Sequence, residues 1–333
     1  MGIQHPYLGR KGIIMKYAIG IDLGGTFIKY AVIDEEGHFL YNGKLPSLAS
    51  TSKDAVIGQL KSAMTECIHF ANTANITLCG IGIGTPGITD ETNRRVLGGA
   101  ENITGWENVP LADILEKETG LPVSVANDAN MMGLGEQAFG AAKGCSDVLF
   151  ITVGTGIGGA IIIDSKLYGG YKNRGTEIGH IPLIANGEPC ACGSVGCLET
   201  YASATGIKRT VFKLLADHTD DSEFRRVTYD DLTAEMITKA ALNGDPIAIE
   251  AYEYTGKLLG EALADAVAIT SPEAIFLFGG LAKAGKYIFE PTKKYMEQNL
   301  LAIFRNKVKL LPSGIDGKNA AVLGASALVW QSL

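Results

Sequence analysis

The sequence predicts an α/β protein of two similar lobes, and three observations carry that prediction. Strand-like runs of β-branched and aromatic residues alternate with segments of helical apolar spacing along most of the 333 residues. A strand, a small-residue turn and a second strand occur at residues 22–34 and again at 152–164. No Pro/Ser-rich linker divides the chain, so the lobes are expected to exchange elements rather than sit as beads.

Tyr17 to Tyr41 is punctuated by Gly-Gly and Glu-Glu-Gly and reads as three antiparallel strands in a meander. Residues 53–72 carry apolar residues at helical spacing, opened by the capping types Thr51 and Ser52. A buried strand at 76–83 precedes the turn-rich GTPGITDE, a short helix at 110–119, the strand PVSVA and a helix after Asn127-Asp128. Beyond the second strand-turn-strand unit, helices are expected at 203–216, 232–243 and 246–269. The very apolar AIFLFGG (274–280) reads as a strand ending in a glycine pair, and 318–333 as an alanine-rich closing helix. The expected divisions are an N-terminal extension at 1–14, a small lobe at 15–126 completed by 318–333, and a large lobe at 127–317.

Composition narrows the function. The chain is 46% hydrophobic, enough for two cores, and its net charge of −7 with no long basic run lacks a nucleic-acid footprint. No apolar run approaches the roughly 18 residues that suggest a membrane span. The N-terminus lacks a signal peptide's apolar stretch and cleavage site. The expectation is a cytoplasmic protein with no nucleic-acid or membrane partner, in a compartment where structural disulfides are rare.

Two glycine turns are the first candidates for chemistry. In DLGGT (22–26), Gly24, Gly25 and Thr26 bring successive backbone N–H groups together without bulky side chains, a nest for an anion. GTGIGG (154–159), with Thr155 and Gly156, offers the same again. Either alone reads equally as an ordinary hairpin; the pair, with Asp22 at a strand end, favours a nucleotide. GTGIGG formally fits the dinucleotide pattern, but strand rather than helix follows it, and no Walker-type loop exists. DLGGT, GTGIGG and the pair Gly279-Gly280 resemble the phosphate and adenosine motifs of the sugar kinase, actin and Hsp70 superfamily. The resemblance implies a two-lobe actin-like ATPase (ribonuclease H-like) fold with ATP in a cleft between the lobes. Asp22 would then order water around Mg²⁺, and Gly279 and Gly280 would let adenine lie against backbone. All three also read as plain strand-end turns.

Three of the six cysteines fall within eight positions, in His180-x9-Cys190-x-Cys192-x4-Cys197. One nitrogen and three sulfurs suit a structural Zn²⁺, whereas Cys-x-Cys is too short for a comfortable disulfide. Free buried thiols or a redox relay are the alternatives. Cys67, Cys79 and Cys145 sit in apolar contexts and read as core.

This spacing, with its Cys-Leu-Glu tail, is similar to that of the ROK family of repressors, open reading frames and sugar kinases. The resemblance runs from Met15 to the C-terminus through DLGGT, GTPG (84–87), NDAN (127–130), EIGH (177–180), CACGSVGCLE (190–199) and YASATG (201–206). It implies a glucokinase-like hexose kinase using ATP and Mg²⁺, with a structural Zn²⁺ that shapes a loop. Glu177, His180 and Glu199 would contact hydroxyls toward the anomeric end of the sugar, His180 through the ring nitrogen that does not bind metal. Asn127 and Asp128 would hold the other end, and Asn102 would add a contact. Position alone makes Asp128 a helix N-cap as readily as a general base; the NDAN match favours the base. A homodimer or homotetramer is the family's expected state.

Three departures bear on the sugar: Arg174-Gly175-Thr176 before Glu177 where the family commonly has a glycine, Ala126 before Asn127, and Leu281 after the Gly279-Gly280 pair. Glucose is the first expectation. The alternatives are N-acetylmannosamine, N-acetylglucosamine, allose or fructose, or a sugar-sensing regulator without DNA binding. Family regulators carry a helix-turn-helix ahead of this region, and the fourteen residues before Met15 are too few for one. An actin-like assembly protein would leave the polyol-reading carboxylates and the cysteine loop without a purpose.

Overall fold

Small residues and β-branched runs decide how the first sheet is covered. In β1 (Tyr17–Leu23), Ile19, Ile21 and Leu23 share one face while Ala18 and Gly20 share the other, and Ala18 through Ile21 are buried. The computed structural model describes residues 15–100, 102–315 and 320–331. The expected extension at 1–14 lies outside them.

The first unit comprises Met1–Phe139 with Lys318–Leu333. After β1 come β2 (Phe27–Asp34), β3 (Phe39–Pro46), α1 (Lys53–Thr73), β4 (Leu78–Thr85), the short pair β5 (Ile88–Thr89) and β6 (Val96–Gly98), α2 (Leu111–Thr119), β7 (Val123–Asn127) and α3 (Asp128–Phe139). Ser52 caps α1, its side chain accepting from the Ala55 N–H at 3.1 Å. The sheet order is β3-β2-β1-β4-β7; β1, β2 and β3 are antiparallel, and β4 and β7 run parallel to β1. Its core joins Ile19, Ile21 and Leu23 to Leu60, Met64 and Cys67 of α1 and Leu111 and Leu115 of α2.

The second unit is Gly140–Gly317. It contains β8 (Val148–Val153), β9 (Ile157–Ile163), β10 (Lys166–Tyr168), α4 (Leu198–Ala202), α5 (Ala204–Asp217), α6 (Ala234–Leu242), α7 (Pro246–Thr270), β11 (Ala274–Phe278), α8 (Lys286–Asn299) and β12 (Lys309–Pro312). Its sheet order is β10-β9-β8-β11-β12, with β8 antiparallel to β9 and parallel to β11, and β11 parallel to β12. Strand for strand this is the topology of the first sheet, the repeat that the two glycine-turn segments announced. The second turn is one residue shorter: Leu23 pairs with Ile28 across four residues, Val153 with Ile157 across three.

The closing helix α9 (Ala320–Gln331) returns to the first unit; the flanks 318–319 and 332–333 of the expected segment lie outside the described residues. The sequence reading placed the start of the large lobe at 127, but α3 sits with α9 in the first unit and the division falls after Phe139. The physical reason is helix contact. A Cβ on Gly135 would overlap the Ala320 carbonyl, and one on Gly324 the Met131 carbonyl, so the two backbones touch directly.

Candidate functional site

In the first unit, the Asp22 side chain is 18% exposed at the end of β1, with Lys29 Nζ 3.6 Å from its carboxylate across the strand pair. Burial pushes the Asp22 carboxyl above its ordinary value, and Lys29 offsets only part of that. A half-buried carboxylate so placed gains by a divalent cation nearby. Gly24 N–H closes the turn on the Phe27 carbonyl at 3.0 Å, and Ser47 Oγ donates to the Gly25 carbonyl at 2.8 Å. The exposed Asn102 lies over this turn: a Cβ on Gly25 would stand 2.9 Å from its Nδ2.

Asn127 and Asp128 stand at the β7–α3 junction, both half-buried. Asn127 Oδ1 accepts from the N–H of Ala129 at 2.9 Å and of Asn130 at 3.4 Å, and its Nδ2 donates to the Gly87 carbonyl at 3.0 Å. The cap therefore falls on Asn127, and its amide also ties the Gly84–Gly87 loop to the helix start. Asp128 Oδ1 accepts from the adjacent Ala129 N–H at 2.9 Å, which orients the carboxylate at a rigid strand-to-helix turn. Trp106, fully buried, supports the same loop by donating from Nε1 to Thr85 Oγ1 at 2.9 Å.

In the second unit, Gly154 N–H donates to the Gly156 carbonyl at 3.0 Å to close the turn. Among the described residues, the N–H groups of the exposed Thr155 and of Gly156 donate to no protein acceptor, as an anion nest requires. Gly279 has φ +93°, and a Cβ there would overlap the Val153 carbonyl, so only glycine serves. Gly280 is exposed with open space above its Cα, room for a flat ring.

His180, Cys190, Cys192 and Cys197 place their ligand atoms within 4.8 Å of one another. Cys192 Sγ is 3.7 Å from Cys197 Sγ, and Cys190 Sγ is 3.5 Å from His180 Nδ1. These match the edges, about 3.8 and 3.5 Å, of a tetrahedron built on ordinary Zn–S and Zn–N lengths. Nδ1 is thus the ring atom turned to the cluster. Burial first, then hydrogen bonding with Cys190 and Cys192, pushes the Cys197 thiol up to about 12. The donor set fits the metal. The loop is also held by backbone: Leu183 and Ile184 N–H donate to the Gly196 carbonyl at 2.9 and 3.2 Å, and Leu198 N–H to the Ile181 carbonyl at 2.9 Å.

Glu177 is exposed at the start of a single helical turn that leads to His180, whose N–H donates to its carbonyl at 3.0 Å. Glu199 lies in α4, directly after the ligand Cys197 and Leu198. Its Oε2 accepts from the Ile157 N–H at 2.7 Å, and its carboxylate fills the space where a Cβ on Gly156 would project. The metal-ligand loop, the acid and the second glycine turn are therefore one connected structure. Sequence reasoning missed the Ile157 amide, and the Ala204 amide that donates to the Gly154 carbonyl at 2.8 Å, because a backbone N–H leaves no mark in residue type.

The repeated topology and paired glycine turns define a two-lobe actin-like ATPase fold of the sugar-kinase kind. The chain belongs to the ROK family, which it matches over residues 18–332. A glucokinase of Halalkalibacterium halodurans is 35% identical over 320 residues, spanning 95% of this chain and 96% of the relative. The structure of a ROK family glucokinase from Streptomyces griseus in complex with glucose and AMPPNP has a TM-score of 0.79 at 32% identity, covering 95% of this chain and 99% of that one. A ROK family transcriptional regulator, a homolog of the E. coli MLC protein, has a TM-score of 0.84 at 28% identity, covering 95% of this chain and 78% of that one. No helix among the described residues is long and apolar enough to cross a membrane.

Proposed function

We propose that the protein is an ATP-dependent hexose kinase that converts glucose to glucose 6-phosphate. The observation that carries this reading is the likeness, over 95% of the chain, to a glucokinase whose structure holds glucose and AMPPNP. The residues fit the chemistry. Asp128 accepts the proton of the sugar hydroxyl as its oxygen attacks the γ-phosphorus in line and ADP departs. Asn127 fixes the turn that carries Asp128 and, with Asn102, shares in holding the sugar. Glu177, the Nε2 of His180 and Glu199 read the remaining hydroxyls, each a donor and an acceptor. The turns at Gly24–Thr26 and Gly154–Gly156 take phosphate oxygens, and Gly279 and Gly280 border the adenine.

Asp22 would hold Mg²⁺ through its water, and that ion would offset phosphate charge. Zn²⁺ on His180 and the three cysteines would fix the loop, with all four positions filled by protein. A cytoplasmic homodimer or homotetramer without nucleic-acid or membrane partners completes the proposal, and sedimentation measures the assembly.

A coupled ADP-release assay over glucose, N-acetylmannosamine, N-acetylglucosamine, allose and fructose tests the reading, with glucose expected to give the largest kcat/KM. Asp128→Asn is expected to lower kcat by about 10³-fold or more with the fold intact. Near-wild-type turnover in that variant removes Asp128 from the role of base. The likeness to a transcriptional regulator favours one second reading, a sugar-responsive regulator. It predicts sugar binding without ADP release for any of the five sugars, and a gel shift at stated salt would expose DNA binding.

A further inference from the structure

We propose that Glu199 is a positioning residue for the second glycine turn, so that the metal cluster governs nucleotide affinity as well as the sugar wall. This rests on the kinase reading above. Among the described residues, beyond its own closing bond and the strand pair Val153–Ile157, the turn Gly154–Gly156 is held by a single short stretch of chain. On one flank, the Ile157 N–H donates to Glu199 Oε2 at 2.7 Å. On the other, the Ala204 N–H donates to the Gly154 carbonyl at 2.8 Å. The Glu199 carboxylate also stands where a Cβ on Gly156 would be, so it forms the floor under that residue.

The same stretch is anchored in the metal-ligand loop. Cys197 is two residues from Glu199, its Sγ lies 3.5 Å from the His180 carbonyl, and Leu198 N–H donates to the Ile181 carbonyl at 2.9 Å. The path from ligand to turn is thus two residues and one charge-assisted hydrogen bond long. That bond engages the Ile157 N–H and leaves the N–H groups of Thr155 and Gly156 for phosphate. Losing the carboxylate frees the turn to rearrange before a nucleotide arrives, and ordering it then weakens binding. Glu199 therefore has two duties, the Oε2 bond to the turn and, on the kinase reading, contact with the sugar.

The test is binding of AMPPNP to the full chain by calorimetry, without sugar, so that no turnover enters the measurement. Glu199→Ala is expected to weaken AMPPNP about tenfold, the scale of one hydrogen bond to a charged group. Glu199→Gln, whose amide oxygen still accepts from Ile157, is expected to stay within about threefold. Removal of the cluster's metal by a thiophilic, Zn²⁺-selective chelator, with Mg²⁺ kept in excess, should weaken AMPPNP in the wild type and add nothing in Glu199→Ala, because both act through one link. Ala204→Pro provides an arm that touches no sugar residue. Position 204 opens α5, where proline is tolerated, and Ser203 at ψ 176° is compatible with a following proline. It removes the bond to Gly154 and displaces that carbonyl, and it should reproduce the tenfold loss. Wild-type AMPPNP affinity in Glu199→Ala or Ala204→Pro, or a chelator effect that adds in full to Glu199→Ala, overturns the proposal. A wild-type protein that binds no AMPPNP instead overturns the kinase reading, and this inference with it.

Discussion

Thr176 occupies a position that its side chain resists. Its φ is +70°, a left-handed conformation that a β-branched residue avoids, directly before the candidate sugar ligand Glu177. The sequence comparison with the ROK pattern flagged this position as one where a glycine is common, and the backbone supplies the reason. Thr176→Gly is expected to stabilise the protein by about 0.5–1 kcal/mol, the relief of strain less the added freedom of the unfolded chain, measured by urea unfolding. Asp22 makes the opposite point. Because burial raises its folded-state pKa, the folded protein holds the Asp22 proton more tightly than the unfolded chain does. Its contribution to stability is full below the ordinary carboxylate value and is lost as pH rises through the raised one. At pH 7, above the ordinary carboxylate value, Asp22 therefore contributes less to the ligand-free fold than it does in acid. Asp22→Asn should raise the Tm at pH 7, with a gain that shrinks as pH falls into the carboxylate range, while ADP release drops. A lower Tm at pH 7 would show that Lys29 outweighs burial.

At the scale of elements, most strands and helices were legible, and what escaped has a physical cause. The meander β1–β3, helix α1 and the long α7 announce themselves by alternation, capping residues and helical spacing. Helix α8 does not: Pro291 stands inside it and interrupts the pattern, although the proline packs against α7 at Gly256. Strand β12, four residues at the sheet edge, is too short for alternation to register. The assignment of α3 needed the tertiary contact with α9, since nothing local says which unit a helix joins. That contact is testable through glycine. Gly324→Ala drives a methyl group into the Met131 carbonyl and is expected to destabilise by about 3 kcal/mol. Gly58→Ala, exposed in α1 with open space around it, is expected to stabilise by up to about 1 kcal/mol. Equal effects at the two positions, read from urea midpoints, would remove the close packing of α3 on α9.

At the scale of the molecule, the same five-stranded topology serves twice, and each copy ends its first strand on a glycine turn. The second copy carries the metal-ligand loop as its own addition. Elemental analysis is expected to find about one zinc per chain, the capacity of a single four-ligand site. Chelation should lower the Tm and loosen the 180–199 loop without unfolding the protein at 25 °C, because the hydrophobic core cluster of the second unit is built without any of the four ligand residues. Metal-free protein with an unchanged Tm would remove the cluster from the account of stability.

The sequence by itself determined the fold class, the family and the identities of the four metal-ligand candidates, because glycine turns, alternation and Cys/His spacing are written in residue type. Tertiary structure decided that Asn127 rather than Asp128 caps α3, that His180 turns Nδ1 to the cysteines, and that Glu199 reaches the Ile157 amide. Each of those depends on where a particular oxygen or nitrogen points once distant segments have packed. Residue type records which atoms a side chain offers, and only packing selects the one that is used.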